Sequence, residues 1–231
     1  MKNLFYILIF GIVYHFSAIS VAMAKQIDEK CLEVMRAPEV TISTSLGKLR
    51  YDFSKNTRTL TRMHLKQYGG SVLPNHQVNG LSTYNLAVEL NFKINKNNLM
   101  NGTVCLYPSD IELNIGLKDP TIYIANHLEP DSCLYDLTLR HEQTHQQITT
   151  EILEHYLPII QQRFLDTIKH HSFVSRDTDV SLTLARESLR KLYLSVINPL
   201  IDEINAEISS EQSKLDNPEH YAYENSICNQ M

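Results

Sequence analysis

The 231-residue chain predicts an α+β fold, with an N-terminal antiparallel β-sheet region followed by a long, kinked helical hairpin. Three observations carry that expectation. Residues 38–126 hold short β-branched and aromatic runs parted by turn residues. After Pro130 the apolar spacing lengthens from two residues to the three or four of a helix. Within that second texture lies "RHEQTH", residues 140–145, a pattern whose chemistry needs a helix.

Taken in order, strands are expected at 38–45 (PEVTISTS), 48–53 (KLRYDF), 85–94 (NLAVELNFKI), 102–108 (GTVCLYP), 110–115 (DIELNI) and 121–126 (TIYIAN). Leu86, Val88, Leu90 and Phe92 alternate on one face, and Asn101-Gly102 and Asp119-Pro120 supply turns. The polar stretch 59–80 fits neither period. Asp131 or Ser132 caps a helix that runs to about residue 170, kinked at Pro158. Its face carries Leu134, Leu137, His141, His145, Ile148, Ile152 and Ile159. A polar break near 170–179 leads into a second helix over about 178–213, kinked near Pro199. Leu182, Leu189, Val196, Leu200, Ile204, Ile208 and Leu215 form its apolar stripe. The expected division is 1–24 a cleaved signal peptide, 25–129 a β-rich region and 130–231 a helical region, the last two forming one domain.

The first residues set the compartment. Lys2, a long apolar run and Ala22-Met23-Ala24 make a secretory signal cut after Ala24. His15 and Ser17 break the run, so no stable membrane span is expected after cleavage. The protein is expected in the periplasm or outside the cell. Cys31, Cys105, Cys133 and Cys228 all follow the cut, an even number in an oxidising setting, which predicts two disulfides. Cys105–Cys133 would join the strands to the motif helix, and Cys31–Cys228 would tie both ends. No C-x-x-C spacing supports a thiolate zinc site. A net charge of −5 and a pI near 6.0 argue against a nucleic-acid partner.

His141, Glu142 and His145 spell H-E-x-x-H. Residues four apart share a helix face, so two imidazoles can reach one Zn²⁺. Glu142, a quarter-turn away, is placed as general base and not as ligand. The motif sits on the apolar stripe, where a solvated helix would not put it. The strand "TIYIAN" just before it suggests a zincin-like arrangement, with an extended substrate paired to the strand edge. A metzincin would need Gly at 148 and His at 151, and Ile148 and Glu151 exclude that class. A catalytic zinc needs a third ligand. With the hairpin turning near residue 174, the motif lies opposite residues around 205, which brings in Glu207, Glu211, Asp216, Glu219 and His220.

"VC" at 104–105, "PTIYIA" at 120–125, "SCLYDLTLRHEQTH" at 132–145 and "LDNPEHY" at 215–221 carry a resemblance. Over roughly residues 100–231 the chain resembles secreted bacterial proteins of unknown function grouped, largely by motif, with zinc-dependent proteases. That resemblance implies Asp216 as third metal ligand, with Glu211 as the alternative and His220 and Glu207 behind. Near it, Tyr221, Tyr223 and His220 are candidates to stabilise an oxyanion.

The expectation is therefore a bacterial periplasmic or secreted hydrolase, a zinc metalloprotease acting on an unidentified peptide or protein substrate. A zinc amidase acting on cell-wall peptides uses the same chemistry. The rival from another class is a non-catalytic envelope binding or assembly protein with a structural or vestigial zinc site.

Overall fold

The computed structural model describes residues 29–68, 78–102, 104–170 and 182–228. The expected signal peptide and the break between the long helices lie outside the described residues. Elements follow in the order α1 (Glu29–Val34), β1 (Glu39–Ser45), β2 (Arg50–Asp52), α2 (Thr57–Tyr68), β3 (Gly80–Asn98), β4 (Val104–Ile124), α3 (Cys133–His170), α4 (Leu182–Leu215) and α5 (Pro218–Cys228). The class is mixed α/β of α+β type. No helix among the described residues is long and apolar enough to cross a membrane.

β4, 21 residues long, is the centre of the sheet. β3 pairs with it antiparallel, from Gly80 opposite Ile124 to Asn98 opposite Val104. The expected Asn101-Gly102 turn closes this hairpin, with Gly102 at φ 80° and its N–H donated to the Leu99 carbonyl. On the other edge β1 and β2 run parallel to β4 end to end, Glu39–Ser45 beside Asp110–Gly116 and Arg50–Asp52 beside Thr121–Tyr123. The sheet is thus mixed, not antiparallel as expected. The chain reverses twice between β1 and β4, once through α2 and once at the hairpin, and two reversals restore the original direction. Gly47 (φ 67°) makes the bend between β1 and β2, where a Cβ would meet the Leu117 carbonyl oxygen at 2.6 Å.

Three expected strands, 102–108, 110–115 and 121–126, are the single strand β4. Asp119-Pro120 does not reverse the chain. Asp119 takes φ 54°, and the register slips so that Tyr84 alone spans the gap opposite two β4 residues. This is a bulge, and Pro120, which has no N–H to give, suits it. The unassigned polar stretch begins inside α2, which packs Leu60 and Met63 against Leu81, Ala125, Tyr123 and Leu128.

α3 and α4 form one layer against the sheet. Ser132 caps α3, its Oγ accepting the Tyr135 N–H at 3.3 Å, and Asp136 lies in the first turn. Partner positions fall along α4 as they rise along α3. Thr149 bonds Gln212 at 3.0 Å, Tyr156 donates to Glu207 at 2.9 Å, and the Phe164 and Tyr193 rings meet edge to face at 5.5 Å. The core between layers includes Leu90, Ile111, Leu113 and Ile115 of the sheet with Leu153, Ile160, Leu189 and Ile197 of the helices. Of the expected α4 stripe, Leu189, Leu200, Ile204 and Ile208 are buried, and the rest of the line departs from it. Ala185, Tyr193 and Ile197 are buried, while Leu182 stays 44% exposed and Val196 and Leu215 are half-buried.

Both disulfides form, in a different pairing from the expected one: Cys31–Cys105 and Cys133–Cys228. Cys31 of α1 lies at the start of β4. Cys133 opens α3, and α4 returns the chain to that end, so the final residue of α5 meets it.

Candidate metal centre

The i, i+4 spacing on α3 sets His141 and His145 on one line, with their Nε2 atoms 3.1 Å apart. Both are buried. The third corner comes from the junction of α4 and α5. There Asn217 caps α5, its Oδ1 accepting the His220 N–H at 2.8 Å, and Pro218 opens the helix. That short corner leaves Asp216 facing α3, with Oδ1 at 3.0 Å from His141 Nε2 and 3.1 Å from His145 Nε2. Asp216, which the resemblance implied, is thus the acidic residue that meets both histidines. Glu211 pairs with Lys214, Glu207 with the Tyr156 hydroxyl, and Glu219 is exposed in the first turn of α5, so none of them joins the group.

The three atoms form a nearly equilateral triangle that can hold a metal ion. Their mutual separations of 3.0–3.1 Å would suit one ion held by two imidazoles and a carboxylate. The donor chemistry agrees. Glu224 of α5 lies 3.2 Å from His141 Nδ1 and fixes the proton there, which turns the Nε2 lone pair toward Asp216 and His145. Lone pairs converging on one point repel unless a cation or extra protons lie between them. Glu224 in turn is 3.2 Å from His220 Nε2, so His220 braces the second layer and does not touch the triangle. His145 Nδ1 is buried without a hydrogen-bond partner among the described residues.

Electrostatics follow this crowding. Burial raises the Asp216 carboxyl, yet with protons in place of a cation on the His141 and His145 Nε2 atoms, hydrogen bonds from those rings and from Tyr221 outweigh it and hold the group well below the usual range. Tyr221 donates its hydroxyl to Asp216 Oδ1 at 2.6 Å and stacks on His141. Its phenol is raised by burial and by the Asp216 charge. Tyr223, the other tyrosine considered, is 65% exposed.

Glu142 points from the adjacent face of α3 toward β3. It is only 6% exposed. Burial pushes its carboxyl up to about 7, against the pull of His145, His141 and the Ser82 N–H. Gly80 makes the space for it. The expected edge pairing at "TIYIAN" is not available, because β2 and β3 flank that part of β4 on both sides. The strand beside Glu142 is β3, which among the described residues pairs with β4 alone.

Sequence reasoning missed Glu224, Gly80, Ser82 and His64. Glu224 stands one helical turn after His220, a spacing visible in "HYAYE". Gly80 and Ser82 act through backbone proximity, which leaves no local signature. His64 of α2 lies within electrostatic reach of Asp216 and His145, burial holding its imidazole below 6.5 with Asp216 opposing. Compared with family models, curated proteins and solved structures, the chain matches none.

Proposed function

We propose that the protein is a zinc-dependent peptidase of the H-E-x-x-H type, acting outside the cytoplasm. One observation carries the reading: His141 Nε2, His145 Nε2 and Asp216 Oδ1 converge within 3.0–3.1 Å, with Glu142 on the neighbouring face. Two imidazoles and one carboxylate favour zinc over calcium or magnesium, which prefer oxygen alone. Bound there, zinc supplies Lewis acidity toward water and a carbonyl oxygen. The chain supplies the rest. Glu142 accepts a proton from the attacking water and returns it to the leaving amine. Glu224 fixes the His141 tautomer, and Tyr221 steadies Asp216 and presents a hydroxyl beside the triangle. The two disulfides are compatible with an oxidising compartment.

The test is zinc per chain, measured on the oxidised protein beside Glu142→Gln and His141→Ala. Zinc near one equivalent in the first two and lost in the third, with peptide hydrolysis only in the wild type, supports the reading. A wild type without zinc removes it. The rival, a non-catalytic module with a structural metal, draws on the deep burial of Glu142. It requires Glu142→Gln to leave the biological role intact.

A further inference from the structure

Between α2, β3 and α4 runs a cleft of about 400 Å³. Its polar lining is Gln67 of α2, Tyr84 and Asn85 of β3, and Asn205, Ser209 and Gln212 of α4. Every wall continues into the candidate metal centre. On α4 the stripe Asn205, Ser209, Gln212 is extended one turn by Asp216. On α2, His64 stands one turn before Gln67 and feels Asp216 and His145. On β3, Ser82 lies two residues from Tyr84 and gives its N–H to Glu142. Gln212 joins the two regions directly, donating to Thr149 Oγ1 at 3.0 Å and to the His145 carbonyl at 3.4 Å.

We infer that this cleft is the specificity subsite of the metal centre and takes an uncharged, hydrogen-bonding residue of an extended peptide: Asn, Gln, Ser or Thr. This rests on the peptidase reading above. No lining side chain carries a formal charge at neutral pH, so a charged residue seated there would lose water and gain no counter-charge. Leu86 and Ile208 complete the lining, and at the exposed rim Asn85, Asn205 and Ser209 offer donors and acceptors that a purely apolar residue would cover without pairing. The volume falls within the usual range for small-ligand clefts. β3 beside it supplies a strand along which an extended chain can lie.

Asn205 and Ser209 are exposed at the rim, so they can be changed without opening the core. The zinc-loaded full chain is incubated with a library of unstructured synthetic peptides, and cut sites are read by mass spectrometry. Wild type, Asn205→Asp and Asn205→Lys are compared, with Ser209→Lys repeating the last arm should that variant not fold. The expected result is a preference for Asn, Gln, Ser or Thr at one fixed distance from the cut bond. Asn205→Asp shifts that position toward Lys and Arg, and Asn205→Lys toward Asp and Glu, by about tenfold or more. Cleavage with the same preferences in all variants overturns the subsite and leaves the peptidase reading standing. No cleavage by the zinc-loaded wild type overturns both.

Discussion

Gly80 stands directly against Glu142: a Cβ at residue 80 would lie 2.6 Å from both Cγ and Oε1 of the glutamate. Thr138 Cγ2, at 2.7 Å from the same point, closes the other side. The position of the Glu142 carboxylate is therefore set by a missing side chain on a neighbouring strand. Gly80→Ala should displace the carboxylate, lowering peptide hydrolysis about 100-fold. Overpacking should cost about 1–3 kcal/mol of stability. Zinc content should not change, and atomic absorption beside a denaturant melt separates the two effects.

Asp216 and Glu211 differ by little more than one helical turn, yet only the first meets the histidines. Asp216→Ala should abolish tight zinc binding, and Glu211→Ala should leave it within about twofold, since an exposed pair with Lys214 is worth little. Competition with a chromophoric chelator measures both. Loss in the second variant would refute the assignment.

Glu224 holds the far nitrogen of His141 and touches no other corner of the triangle. Glu224→Gln should weaken zinc by about 10- to 100-fold, the usual effect of removing a carboxylate behind a metal-bound imidazole. His220→Ala, one contact further out, should weaken it less.

Protons and metal compete at His141. Burial favours its neutral ring, but Asp216, Glu142 and Glu224 outweigh this and raise it above the ordinary 6.5. In the metal-free protein that raised value contributes stability fully present below 6.5, and lost as pH rises through the folded value. Zinc affinity should move the opposite way, climbing as the proton leaves. Titrations and melts of the metal-free form from about pH 5.5 to 8 should cross. A flat zinc affinity over that range would exclude His141 as a ligand.

The two disulfides should separate on reduction or substitution. Cys133–Cys228 closes a loop of 95 residues that contains every member of the triangle. Cys228→Ser should cost about 4–5 kcal/mol on the chain-entropy scale and weaken zinc, because α5 loses its anchor. Cys31→Ser should lower stability and leave zinc affinity unchanged, as its bond to Cys105 lies apart from the site.

What could be read from residue order follows the range of each interaction. His141, Glu142 and His145 share one helix, so their geometry is contained in their spacing. The hairpin could be anticipated because its stripes are long and its polar break is clear. Asp216 needed the return of a second helix over 71 residues, and residue spacing alone left several acidic rivals until the resemblance ranked them. Parallel pairing of β1 and β2 with β4 leaves no trace in a period-two pattern, which is the same for either direction. α2 escaped notice because only Leu60 and Met63 mark its packed side. The cysteine pairing turned on where α5 ends, which no local pattern encodes.

The wide separation of Asp216 from the motif also orders events in time. A chain emerging from the ribosome or a translocation pore presents His141 and His145 well before the third corner exists, with the whole of α4 still to be made. Two imidazoles alone are a weak trap for a metal ion. The three-residue group is thus completed late, after both long helices have folded back on one another. A half-made copy carries the two histidines without the carboxylate that completes the group.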